Sequence, residues 1–266
     1  MSHLLFIEET LKAASAIAVQ HFGGIKDTTI KTGDNNQVLT KTDLEIGKYI
    51  VDAIRSTYPH DNIIDEEAGV IDNHSTYTWV VDPIDGTANF AQGIPTYGIL
   101  LGLLREGEPI VGGMALPSFG DTYSAERGKG AKRNSTSIKV TSQEKLSNSL
   151  ISYGIDGHQE NPTLTHEEIT ILEKIVLNVR NLRTTNSAYD FGLVADGRYG
   201  AYLNKTSKIW DNVAPQIIIE EAGGAYTDFY GEPLDYTRPL TKAAVNFTYC
   251  AASPILHKEL QAIIHS

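Results

Sequence analysis

The sequence predicts a layered α/β or α+β fold, on three observations. Segments with helical periodicity alternate with short apolar segments of strand character along the whole chain. Between residues 97 and 126 several strand-like segments also follow one another with only turns between them. The chain has 266 residues, of which 41% are hydrophobic, so a sizeable core is available and disorder is excluded. We expect one domain over residues 1–266, built from two packed halves of roughly 1–145 and 146–266.

Residues 3–22 read as an amphipathic helix. Leu4, Ile7, Leu11, Ala14 and Ala18 recur at spacings of three and four, and Gly23-Gly24 stops the element. Residues 25–39 are polar and turn-rich, which predicts a mobile loop. Thr42-Asp43-Leu44-Glu45 has the capping-box pattern. Ile46, Tyr49, Ile50, Ala53 and Ile54 then mark one helical face, and Pro59 closes it. Asp43 thus stands at a helix N-terminus, where the dipole alone favours a carboxylate. Residues 62–65 form a short strand that runs into Asp65-Glu66-Glu67. Three acids there suit either a solvated loop or a metal ligand.

Strands are predicted at 97–104, 109–116, 121–126 and 149–153. Arg127-Gly128-Lys129-Gly130 is a turn and lacks the longer Gly-to-Gly span of a phosphate-cradling P-loop. A helix over 165–178 follows Pro162, then a strand at 182–185, a short helix at 187–195 ending near Gly197, and a strand at 199–203. The segment 211–222 is apolar nearly all round and reads as a buried helix with Asp211 as its N-cap and Gly223-Gly224 as its stop. Strands near 225–228 and 243–250 and a helix at 254–264 complete the chain.

A net charge of −11 argues against a general nucleic-acid binder, which needs a basic face. It does not argue against an anionic substrate, because a bound cation inverts the local field. Cys250 is the lone cysteine, set among Tyr249, Ala251 and Ala252, and reads as a small core residue. No intramolecular disulfide is possible, which fits a cytoplasmic location. The first residues lack the pattern of a signal peptide. The longest strongly apolar stretch, Tyr97 to Leu104, is far short of the roughly 20 residues of a membrane helix, so no membrane association is expected.

The chemistry concentrates in Trp79-Val80-Val81-Asp82-Pro83-Ile84-Asp85-Gly86-Thr87-Ala88-Asn89-Phe90. An apolar strand ends in two carboxylates; Pro83 fixes one backbone angle between them, Gly86 permits a tight turn, and Thr87 adds a hydroxyl. Oxygen ligands converging at a strand end suit a hard cation such as Mg2+ or Ca2+. Solvated turn acids explain Asp-Pro and Asp-Gly equally well when the stretch is read alone. Read with Glu66 and Asp211, and with Asp43 and Thr87 as helpers, it becomes a multi-site acidic constellation.

At this point the chain resembles the inositol monophosphatase family, within the wider group of Mg2+-dependent, lithium-sensitive phosphatases. The resemblance covers nearly the whole chain. It rests on Asp65-Glu66-Glu67, on the stretch from Trp79 to Phe90, and on Trp210-Asp211 followed by Glu221-Ala222-Gly223-Gly224. It implies a five-layered α-β-α-β-α sandwich, a homodimer, and Mg2+-dependent hydrolysis of a small phosphate monoester. Glu66, Asp82, Asp85, Asp211 and the carbonyl of Ile84 are then the metal ligands. Thr87 and Glu66 orient and help deprotonate the attacking water. Asp43 hydrogen-bonds that threonine and helps hold a more weakly bound metal. The N–H groups of Gly86 and Thr87, together with Asp85, face the substrate. The loop 31–38 resembles the family's flexible segment near the third metal, and is expected to be mobile.

The chain departs from the family pattern where the alcohol is read. Asn204 stands where inositol-specific members have a glutamate, and Asn186-Ser187-Ala188 takes the place of a Gly-Thr-Ala segment. Asn186, Ser187, Ala188 and Asn204 are the expected substrate-lining residues. Asp65 replaces a common glycine before Glu66, which leaves Glu66 and Glu67 as competing ligands. Ala88-Asn89-Phe90 after Thr87 is similar to the monophosphatase branch rather than the nucleotide-phosphatase branch. myo-Inositol 1-phosphate is the first expected substrate, with histidinol phosphate or fructose 1,6-bisphosphate as alternatives. A non-catalytic partner-binding module on the same fold, or a structural Ca2+ site, are the readings from other classes.

Overall fold

A computed structural model describes residues 1–23, 28–30 and 38–266. The first part of the chain contains α1 (His3–His21), β1 (Thr28–Ile30), β2 (Val38–Thr40), α2 (Lys41–Thr57), β3 (Asn62–Asp65), β4 (Gly69–Ile71), β5 (Tyr77–Asp85), α3 (Thr87–Ala91), β6 (Gly98–Arg105) and β7 (Glu108–Leu116). Then come β8 (Asp121–Glu126), β9 (Ala131–Arg133), β10 (Thr136–Ser137), β11 (Leu150–Gly154), α4 (Pro162–Val176), β12 (Asn181–Arg183) and α5 (Ala188–Ala195). The last elements are β13 (Ala201–Ser207), α6 (Ile209–Glu221), β14 (Ala225–Thr227), β15 (Phe247–Ala252) and α7 (Pro254–Ile264).

Eight strands form the larger sheet, in the order β10-β9-β8-β7-β6-β5-β3-β4. It is antiparallel except where β3 runs parallel to β5. Five strands form the second sheet, in the order β12-β11-β13-β15-β14, with β11 parallel to both β12 and β13. Helices α1 and α2 cover the outer face of the larger sheet, α5 and α6 lie between the two sheets, and α4 and α7 cover the outer face of the smaller one. This is the five-layered α-β-α-β-α sandwich that the resemblance implied.

Apolar clusters fill the spaces between the layers. Ile7, Leu11, Ile46, Ile50 and Trp79 fill the space under α1 and α2. Met114, Tyr123, Phe191, Ile217 and Tyr249 fill the middle. Ile151, Tyr153, Ile175 and Leu256 fill the third, with Cys250 fully buried among them as expected. Leu100 belongs to the middle core and Leu101 to the first, so β6 is covered on both faces. That is why its sequence reads as an unbroken apolar run rather than an alternating one. Helix α6 sits close on the larger sheet because β6 and β7 carry glycine beneath it. A Cβ at Gly102 would lie 2.6 Å from Cγ1 of Val213, and one at Gly112 2.4 Å from Cγ2 of Ile217.

Several local expectations are corrected. Residues 28–30 and 38–39, read as part of a loop, belong to antiparallel strands that pair 28–30 with 38–40. The remainder of the predicted mobile loop 31–38 lies outside the described residues. Thr40, not Thr42, caps α2: the Thr40 hydroxyl accepts from the Asp43 N–H at 3.4 Å, and Asp43 Oδ2 accepts from the Thr40 N–H at 3.0 Å. Helix α6 starts two residues before the expected cap, so Asp211 lies in its first turn. There it accepts the Lys208 N–H at 2.6 Å. The short elements β4, β9, β10 and α3 were not predicted, since two to five residues cannot show a period. No helix among the described residues is long and apolar enough to cross a membrane.

Candidate active site

Strand β5 does not stop at Val81 but runs on through Asp85, and its irregularity builds the site. Asp82 pairs with Leu100 and Asp85 with Gly98 on β6, so three steps on one strand oppose two on the other. In a regular strand, residues three apart point to opposite faces. The bulge absorbs one residue and turns both carboxylates to the same side. Pro83 lies inside the bulge, where a missing donor costs no ladder hydrogen bond.

Beyond Asp85 the chain reverses at Gly86, which has φ 87° and opens α3. That left-handed geometry suits glycine, and there is also no room for a side chain. A Cβ would lie 2.8 Å from Cβ of Ser187 and 3.3 Å from the Thr96 carbonyl oxygen. Thr87 follows with its hydroxyl 2.8 Å from the Ile84 carbonyl oxygen and 3.0 Å from Oδ1 of Asp43. Asp43 is 1% exposed. Burial pushes its carboxyl up to about 6, opposed by hydrogen bonds from Thr40 and Thr87.

Asp82, Asp85 and Asp211 each offer an oxygen within 4.8 Å of the others. Burial, followed by the charges of Glu66, Asp85 and Asp211, drives the Asp82 carboxyl well above the usual carboxylate range. Asp85 is raised likewise, by burial, then Asp211, Glu66 and Asp190, while the Ala188 N–H at the start of α5 donates to it and lowers it. Oδ1 of Asp82 is buried with no hydrogen-bond partner. Like charges crowded with an unpartnered buried oxygen make an unfavourable arrangement without a counter-ion, and an all-oxygen set of this kind fits a hard divalent cation. The residues therefore fit a metal.

These groups line a cleft of about 200 Å³ between the two sheets. Glu66 lines it and lies within hydrogen-bonding reach of Asp82. Ile84, Gly86, Thr87, Ala88, Asn186 and Asn204 line it as well. Asp43 lies behind Thr87, outside the lining, and Ser187 is 2% exposed beneath Gly86. Of the two competing acids, Glu66 lines the cleft and Glu67 does not.

The family model for the inositol monophosphatase family matches residues 1–265. The chain belongs to that family. A protein of Thermotoga maritima named fructose-1,6-bisphosphatase/inositol-1-monophosphatase is 30% identical over 269 residues, spanning 100% of this chain and 96% of its own. The Nus factor SuhB of Pasteurella multocida is 32% identical over 206 residues, 77% of this chain and 76% of its own. Among solved structures, an inositol monophosphatase of Thermotoga maritima superposes with a TM-score of 0.86 at 28% identity, covering 100% of this chain and 97% of that one. As a member of the inositol monophosphatase family the protein is a phosphoric monoester hydrolase. The family is generally metal-dependent, in agreement with the acidic cluster at the end of β5.

Sequence reasoning missed several residues that shape this inositol monophosphatase-like site. Asp190 is fully buried at the start of α5, accepting from Ser152 Oγ at 2.8 Å and from the Ser187 N–H at 3.1 Å. Ser187-Ala188-Tyr189-Asp190 has the spacing of a helix cap, and that signal was available. Lys208 and Asp156 also line the cleft, but nothing in their local sequence marks them.

Proposed function

We propose that the protein hydrolyses a small phosphate monoester with Mg2+, and that myo-inositol 1-phosphate is the first substrate to test. The observation that carries this is the meeting of three carboxylates, Asp82, Asp85 and Asp211, in a cleft that is also lined by Thr87, whose hydroxyl is held by a buried acid. Glu66, Asp82, Asp85, Asp211 and the Ile84 carbonyl would hold the metal. When bound, Mg2+ supplies positive charge against the phosphoryl oxygens, lowers the pKa of the attacking water and stabilises the leaving alkoxide.

The chain's own residues supply orientation and proton handling. Thr87 presents its hydroxyl to the attacking water, and Asp43 and the Ile84 carbonyl fix the direction of that hydroxyl. Glu66 stands beside Asp82 as the acceptor for the water's proton. The Gly86 and Thr87 N–H groups face the phosphate. Phosphoryl transfer needs positioning and charge more than a covalent nucleophile, in keeping with a cleft lined by carboxylates and without cysteine. A single domain, from the chain length, a cytoplasmic location, from the lone cysteine, and a homodimer and inhibition by Li+, from the family resemblance, complete the reading.

The test is phosphate release from myo-inositol 1-phosphate, histidinol phosphate and fructose 1,6-bisphosphate, with and without Mg2+ and a chelator. Release from at least one ester that requires Mg2+ supports the proposal. Release unaffected by chelator, or none from any ester, overturns it.

A further inference from the structure

Two residues of the cleft lining, Asn186 before α5 and Asn204 on β13, pack over Gly154 at the end of β11. Gly154 and Asn204 are partners in the parallel register of β11 and β13. Asn204 is 4% exposed, and its amide is fully engaged. Its Oδ1 accepts the backbone N–H of Thr206 at 2.5 Å. A backbone N–H can only donate, so this contact fixes which end of the Asn204 amide is oxygen. Nδ2 is therefore the end that donates to Oδ1 of Asn186 at 2.8 Å, and it also donates to the Tyr202 hydroxyl. Tyr202 donates to the same Asn186 Oδ1 at 3.1 Å and accepts from Tyr249.

The network orients Asn186 in turn. With two donors on its oxygen, its Nδ2 is the end left over, and among the described residues no protein acceptor takes it. Asn186 itself lines the cleft. Gly154 is the packing counterpart of this arrangement. A Cβ there would lie 2.1 Å from Asn186 Oδ1 and 2.4 Å from Asn204 Nδ2, so any side chain would break the amide pair.

We infer that Asn186 reads the leaving alcohol by donating from Nδ2 to an oxygen on it, and that Asn204 is a positioning residue that acts through Asn186. This rests on the hydrolase reading above and deepens it. A carboxylate at the position of Asn204 would accept from substrate hydroxyls. The amide here is spent on the protein, and the donor that faces substrate belongs to a different residue. The favoured class is the phosphate ester of a polyol or another alcohol carrying an oxygen acceptor near the phosphorylated carbon.

The test compares KM for myo-inositol 1-phosphate with KM for propyl phosphate, which lacks the second oxygen. Asn186→Gly removes the amide without straining the backbone, since Asn186 has φ 57° and glycine accepts that angle. It should raise the ratio of the two KM values by about 3- to 10-fold, the range of a neutral hydrogen bond, with a smaller change in kcat. Asn204→Ala should raise the ratio in the same direction, and Gly154→Ala provides a second route to the same disruption. The double variant Asn186→Gly/Asn204→Ala should be no worse than Asn186→Gly alone. An unchanged ratio in Asn186→Gly, or a double variant equal to the product of the singles, overturns the inference while leaving the hydrolase reading standing. A wild type that turns over neither of these esters nor histidinol phosphate nor fructose 1,6-bisphosphate overturns both.

Discussion

The Thr87 hydroxyl lies 3.0 Å from Oδ1 of Asp43, a residue 44 positions earlier in the chain. Asp43 holds two structures together at once, because its other oxygen closes the capping box of α2 on Thr40. Helix start and reactive hydroxyl are therefore set by one carboxylate. Thr87→Val keeps the shape and removes the hydroxyl, and should lower kcat for phosphate release by about 100-fold or more. Thr87→Ser should retain most of the activity. Asp43→Ala should lower kcat as well and destabilise the fold by about 1–2 kcal/mol, through loss of the cap. Steady-state kinetics with urea unfolding of the same three variants checks both effects. Full activity in Thr87→Val would remove the hydroxyl from the mechanism.

Asp82 separates stability from function. Its carboxyl is 2% exposed, faces three other acids, and has an oxygen without a partner. Asp82→Asn removes the charge at nearly constant volume. It should abolish phosphate release and weaken Mg2+ binding measured by calorimetry. It should also raise the melting temperature of the metal-free protein by several degrees, on the order of 1–3 kcal/mol. A metal-free variant that melts below the wild type would contradict the electrostatic account of this cluster.

What was legible in the sequence follows from how local each feature is. Asp82, Asp85 and Thr87 lie in one continuous stretch, so their grouping needed no tertiary information. Their common direction was not legible, because it depends on a bulge set by pairing with Leu100 and Gly98. Asp211 was placed correctly at the start of a helix, yet its capping partner is Lys208 and not its own position. The helices α1 and α2 showed long periods and α6 an apolar run with a clear stop, so all three were read as helices, whereas β9, β10 and α3 are too short to show a period. The order of the five layers came from family resemblance, since periodicity says which face is apolar but not which element covers it. The direction of the Asn204 amide depends on Gly154 and Thr206, and no single stretch of sequence holds all three.

Gly86 provides a test of the turn itself. Its φ of 87° and the 2.8 Å from a would-be Cβ to Ser187 act together. Gly86→Ala should cost about 1–3 kcal/mol, combining left-handed backbone strain with displacement of Ser187. Because Ser187 leads into the α5 N–H that donates to Asp85, activity should fall along with stability. Chemical denaturation and kinetics on the same preparation will show whether both losses occur. A fully stable Gly86→Ala would mean that the turn relaxes at no cost.

Asp190 sets a pH dependence that can be isolated by one substitution. It is fully buried between Ser152 and the Ser187 N–H, and burial holds its carboxyl up at about 6 against those hydrogen bonds. Between the ordinary aspartate value of 3.8 and about 6, the unfolded chain has lost this proton while the folded protein keeps it. Folding then takes up a proton, so this residue's contribution is fully present below that window and is lost as pH rises through it. A shift of this size corresponds to about 2–3 kcal/mol. Asp43 and the cleft carboxylates add slopes of the same sign, so the wild-type profile alone does not identify Asp190. The difference between wild type and Asp190→Asn does, because groups that do not feel Asp190 cancel in it, and Asp85, which Asp190 raises, adds to it with the same sign. Urea unfolding at intervals from pH 4 to 7.5 should show the wild type losing about 2–3 kcal/mol more than the variant across that range. Parallel profiles for the two proteins would mean that Asp190 ionises in the folded state at the same pH as in the unfolded chain.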